Sequence, residues 1–129
     1  MFIPHIWHMG VEPWELMPAT AALSLQVGHA LALSGGKLVK ATGTTKPEFI
    51  CMEDAAATKA GQMIHVERVR PETVYETELS VQSASIAVGA KYTIDAAGEK
   101  ITATDTGGVA EVVNYDGTAA GAKVRVRFA

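Results

Sequence analysis

Two stretches of the chain alternate apolar and polar residues with a period of two. From 73 to 81, Tyr75, Thr77, Leu79 and Val81 interleave with Glu76, Glu78 and Ser80. At the end of the sequence, Val124, Val126 and Phe128 interleave with Lys123, Arg125 and Arg127. This period places one set of side chains on a dry face and the other on a wet face of a β-strand. After residue 20 no stretch keeps a helical apolar period. The nearest is 54–60, a small-residue segment with room for one or two helical turns. The pattern predicts an all-β fold, a small barrel or sandwich.

The same chain echoes itself. Val27-Gly28 opens an apolar run through Leu33, followed by Ser34-Gly35-Gly36 and the return Lys37 to Thr42. Val88-Gly89 opens a second run through Ile94, followed by Asp95 to Gly98 and the return Glu99 to Thr104. Both read as hairpins whose turns carry glycine. The halves that follow also correspond: 50–67 holds an apolar strand, a small-residue loop and a returning strand, and 109–128 does the same. We read two pseudo-repeated β units, about 24–70 and 84–128, within one domain spanning 21–129. The expected core is Leu31, Leu33, Leu38, Ile50, Ile64, Val66, Tyr92, Ile94, Ile101, Val112, Val124, Val126 and Phe128.

Residues 1–20 differ from the rest. They hold both tryptophans, three of the five prolines and three of the five methionines. They are expected to form an extended N-terminal arm. Ile6, Trp7, Met9, Trp14, Leu16 and Met17 are its apolar anchors, either gripping a partner or folding back on the domain's own sheet. Tryptophan is the residue type most enriched at binding hot spots, and prolines limit the entropy lost on docking.

Charge and composition narrow the function. A formal net charge of −3 argues against a nucleic-acid backbone as partner. No Lys or Arg precedes Lys37, which argues against a secretory or mitochondrial leader. The uncharged stretch 16–36 is broken by Pro18, Gln26, His29 and Gly35-Gly36, which argues against a membrane-spanning helix. Cys51, the single cysteine, sits in Phe49-Ile50-Cys51-Met52 and reads as a buried apolar residue.

Three patterns suggest chemistry, and each has a simpler account. His5, His8, Glu12 and Glu15 have helical spacing suited to a metal, but Pro4, Gly10 and Pro13 prevent a continuous helix, so no metal or cofactor is expected. Asp105-Thr106-Gly107 matches the triplet of dimeric aspartic proteases, yet no apolar strand precedes it and no second apolar-apolar-Gly element follows; a turn between strands, with Asp105 capping backbone amides, is the favoured account of the same residues. Gly117 to Lys123 has the wrong spacing for a phosphate loop and reads as a hairpin loop. Lys123, Arg125 and Arg127 form a basic stripe, which Glu67, Glu76 and Glu78 could face.

The runs Val27 to Ala41, Pro47 to Asp54 and Gly61 to Arg68 resemble the β unit of tailed-phage capsid decoration proteins, also called cement, head-stabilising or head-fibre proteins. That resemblance implies a non-enzymatic structural protein on the outer surface of an icosahedral virion, made in the bacterial host cytoplasm. It implies the major capsid protein as partner and a homo-oligomer, with a trimer favoured. The alternative is a small β module that binds carbohydrate or acts as an adaptor, using its aromatic residues as a platform.

Overall fold

The computed structural model describes residues 1–6 and 13–129; for Ile6 the backbone alone is described. Ten strands follow one another: β1 (Ile3–Ile6), β2 (Trp14–Pro18), β3 (Ala30–Ser34), β4 (Lys37–Lys40), β5 (Phe49–Cys51), β6 (Met63–Arg68), β7 (Val74–Glu78), β8 (Lys91–Tyr92), β9 (Ala110–Tyr115) and β10 (Lys123–Arg127). No helix occurs among the described residues. At 54–60 the chain instead bridges Ala55 to Leu25 and turns through Ala57 at positive φ.

The strands form two five-stranded antiparallel sheets that pack as a sandwich, with no closed barrel. One sheet runs β1-β7-β10-β9-β8 and the other β2-β6-β5-β3-β4. Between them lies a cluster that includes Tyr75, Val112, Val124, Val126 and Phe128 from the first sheet and its flanks, and Ala30, Ala32 and Ile50 from the second. A smaller cluster of Leu31, Leu38, Phe49, Cys51, Ile64 and Val66 lies on the other face of the second sheet, beneath Ala19 and Leu25.

Hydrogen-bonded registers recur between the sheets. Met63↔Pro18, Ile64↔Met17, His65↔Leu16 and Val66↔Glu15 pair β6 with β2; Lys123↔Glu78, Val124↔Thr77, Arg125↔Glu76 and Val126↔Tyr75 pair β10 with β7. Ala30↔Ile50 and Leu31↔Phe49 pair β3 with β5, as Lys91↔Glu111 and Tyr92↔Ala110 pair β8 with β9. The Val-Gly turns also match: Gly28 N–H donates to the Cys51 carbonyl, and Gly89 N–H to that of Val112. Both glycines have positive φ, +94° and +87°, the conformation such a turn asks of its third residue. The matching registers also take in β2 and β7, which lie outside the 24–70 and 84–128 stretches.

Of the expected core, all are buried except Leu33, which is 37% exposed. Leu33 sits one residue before the Ser34-to-Lys37 turn, where the sheet ends. Val81, expected on the dry face, is 48% exposed because β7 stops at Glu78.

Of the two placements open to residues 1–20, the described ones fold back. Phe2 is buried, and its ring meets that of Phe128 edge-on at 5.3 Å. β1 and β2 are the outer strands of their two sheets, the position in which prolines such as Pro4 and Pro18 are tolerated. Among the described residues of 1–20, a buried phenylalanine and two strand pairings join the segment to the two sheets.

Candidate functional site

Because the registers recur, the β7–β10 face that carries Lys123 and Arg125 can be compared position by position with the β2–β6 face that carries Met63 and His65. On the β7–β10 side that face is a ladder of ion pairs. Arg125 reaches Glu76 at 3.1 Å and Asp116 at 2.6 Å, Lys123 reaches Glu78 at 3.2 Å, and Arg127 reaches Glu111 at 2.7 Å. Glu78 also meets Lys100 at 3.5 Å. Hydrogen bonding to Lys123 holds the Glu78 carboxyl below its ordinary range, and Asp116 raises the Arg125 guanidinium above its own. The basic stripe is thus neutralised by Glu76 and Glu78, together with Glu111 and Asp116. Glu67 does not face it, since it lies buried in the other sheet on β6.

On the β2–β6 side the matching positions are Leu16 for Glu76, Pro18 for Glu78, His65 for Arg125 and Met63 for Lys123. Trp14, Leu16 and Met63 are 60%, 50% and 50% exposed. Trp14 lies edge-on to His65 at 5.9 Å, and His65 Nδ1 lies 3.1 Å from Glu53. The result is an apolar strip on regular sheet. It is the most exposed part of a face whose remainder, around Ile50 and Ala30, is covered by the opposite sheet.

The other face of β2 points inward. Met17 packs against the smaller core cluster. Glu15 accepts two hydrogen bonds from Arg68, at 2.9 Å from Nε and 2.8 Å from Nη2, which hold its carboxyl below the ordinary range. The Arg68 guanidinium also lies over the Phe49 ring. Of the six expected anchors, Trp14 and Leu16 are outward on one strip, and Met17 is turned into the core. Ile6 lies in β1 opposite Val74, in the other sheet. Trp7 and Met9 lie outside the described residues. Met63 and His65 are not among the expected anchors, although their alternation with Ile64 and Val66 makes their outward placement readable.

A cavity of about 450 Å³ lies elsewhere, lined by Ser24, His29, Lys40, Asp54 and Glu99 among others. His29 is buried. Its Nδ1 accepts the Gln26 N–H at 3.2 Å, so Nε2 carries the proton and donates to Glu99 at 2.5 Å. That bond holds the Glu99 carboxyl below its ordinary range. Both ring nitrogens are occupied, which leaves none to activate Ser24. The pair instead ties the Val27-Gly28 turn of one sheet to the 95–100 loop of the other.

Asp105 lies on an exposed turn closed by Gly108 N–H to its carbonyl at 2.9 Å. The 117–121 segment is the loop of the β9–β10 hairpin. His5 and Glu15 fall in different sheets, while His8 and Glu12 lie outside the described residues. Among the described residues no three His, Cys, Asp or Glu side chains gather as a metal site. Cys51 is buried, and burial raises its thiol pKa.

No protein-family model matches the chain, and no curated protein matches it significantly.

Proposed function

We propose that this is a non-enzymatic structural protein that docks on the outer surface of an icosahedral phage capsid and stabilises it, with the major capsid protein as its partner. The observation that carries the reading is the strip of Trp14, Leu16 and Met63, held on a rigid sheet where the matching face of the other sheet is ion-paired. Large exposed apolar side chains that adjoin one another mark a protein contact. The resemblance of 27–68 to decoration-protein β units supports a capsid as the contact and the virion surface as the location. The second reading, a carbohydrate-binding platform, gains from the placement of Trp14 on regular sheet. Its neighbours Leu16 and Met63 offer a sugar no hydrogen bonds, and the His65 beside Trp14 is engaged with Glu53, which favours a protein surface.

Co-sedimentation with expanded empty shells and with unassembled capsid subunits tests this. The expected result is saturable binding to shells and a raised temperature of shell disruption. Absence of shell binding by the folded protein overturns it.

A further inference from the structure

The outer edge of β2 has a main-chain feature that the side-chain strip does not exhaust. Ala19 N–H donates to the Gln62 carbonyl at 2.8 Å, which sets the parity of the ladder. Residues 15, 17 and 19 turn their main-chain groups toward β6, and Trp14 and Leu16 turn theirs away. In the other sheet, Leu79 N–H donates to the Ala122 carbonyl, so Val74 and Glu76 turn outward in the same manner. There the edge is occupied: β1 pairs antiparallel through Ile3↔Glu76 and Ile6↔Val74. Among the described residues no strand pairs with β2 at Trp14 and Leu16; β4 meets this edge only beyond the end of the strand, where Thr20 N–H donates to the Leu38 carbonyl beside the Ala19↔Leu38 bridge. An open edge beside exposed apolar side chains invites another strand.

We propose that this edge is filled by a second copy of the chain, β2 against β2, antiparallel about a two-fold axis passing beside Glu15. In that register Trp14 lies opposite the partner's Leu16 and Leu16 opposite the partner's Trp14. Each such pair exchanges both main-chain hydrogen bonds, and each exposed apolar side chain of the strand meets another. The one like-charge contact in this register is neutralised, for a reason specific to this sequence. The strand's one ionised residue, Glu15, would face the partner's Glu15, a contact that is unfavourable between bare carboxylates. The bidentate Arg68 neutralises it in each copy. Arg68 is thereby a positioning residue for the contact without touching the opposite strand. Paired strands keep the parity of their faces, so both apolar strips emerge on the same side. The dimer presents a doubled docking face, and the contact closes on itself with no open filament.

The pairing is tested on the purified full chain alone, so its failure is separate from any failure to bind shells. Sedimentation equilibrium is expected to give twice the 13.6 kDa chain mass. Arg68→Gln is expected to weaken association at least tenfold while the circular dichroism stays that of a folded β protein. Adding Glu15→Gln to it is expected to restore association, because no carboxylates then face each other; a role of Arg68 in folding alone would not be rescued this way. Hydrogen exchange gives a second readout: the Trp14 and Leu16 amides are protected in the dimer and exchange freely in a Leu16→Lys monomer, where Glu15 and Met17 stay protected by β6. A monomer at all concentrations, a trimer, or a dimer indifferent to Leu16→Lys overturns the proposal.

Discussion

The β7–β10 and β2–β6 ladders share a register, yet their outer faces have opposite chemistry. Glu76, Glu78, Lys123 and Arg125 make one face a set of mutually satisfied charges; Leu16, Pro18, Met63 and His65 make the other an apolar strip. The inner residues at the same steps are interchangeable in kind: Ile64 and Val66 are as deeply buried as Val124 and Val126. Backbone pairing and core therefore need only the inward half of the pattern. The outward half is free to vary, and in this molecule it separates an ion-paired face from an exposed apolar one. Interspersed ion pairs also keep an exposed sheet from unwanted association.

The largest expected effect breaks both sides of the comparison equally. Val66→Asp and Val126→Asp each place an unpaired charge in a core and should each cost about 3–5 kcal/mol or unfold the domain. Urea denaturation that leaves either variant fully cooperative and near wild-type stability contradicts the shared register.

Next is Phe2→Ala. Loss of its contact with Phe128 should cost about 3 kcal/mol. An independent arm predicts no change, so the same denaturation experiment separates the two accounts.

A smaller effect is expected on the charged face. Arg125→Ala removes pairs to Glu76 and Asp116 that are partly open to solvent, and should cost about 1 kcal/mol, diminishing in high salt. On the apolar face, Trp14→Ala should leave stability within about 0.5 kcal/mol, because an exposed side chain loses little on truncation.

The smallest effect concerns acid. The Glu99 carboxyl is held below its ordinary range chiefly by the His29 hydrogen bond. Its contribution is present at pH values above the ordinary carboxylate range and is lost as pH falls through the lowered folded value. Glu99→Gln should therefore lower stability at neutral pH and flatten its decline in acid. An acid limb of unchanged slope in a urea series from pH 6 to about pH 2 contradicts this role.

The strands with one wet and one dry face are legible in the residues themselves. β7 and β10 follow from alternation, β6 from its place as the returning strand of the first unit, and the Val27-Gly28 and Val88-Gly89 turns from their shared residues. β2 is not legible in this way. Trp14, Leu16 and Pro18 face outward and Met17 inward, so apolar residues lie on both faces and the period disappears. Nor does Trp14 to Pro18 share a residue with Val74 to Glu78, although the two take the same register. β1 is hidden by Pro4, which only an outer strand position permits. The strip is hidden for a further reason: it joins β2 to β6 across 53 positions of chain from Glu15 to Arg68, and no local pattern reports which distant strands become neighbours. The ion pairs are partly readable, since Glu76 and Glu78 alternate outward on one strand as Arg125 and Lys123 do on another.

The central claim is that docking belongs to the β2–β6 face and not to its charged counterpart. The most direct measurement is shell co-sedimentation of two paired variants, Trp14→Ala with Met63→Ala, and Lys123→Ala with Arg125→Ala, each first shown to be folded. The account predicts that the first pair loses at least tenfold in affinity and that the second binds like wild type. Loss confined to the Lys123 and Arg125 variant, with the Trp14 and Met63 variant unaffected, would contradict it.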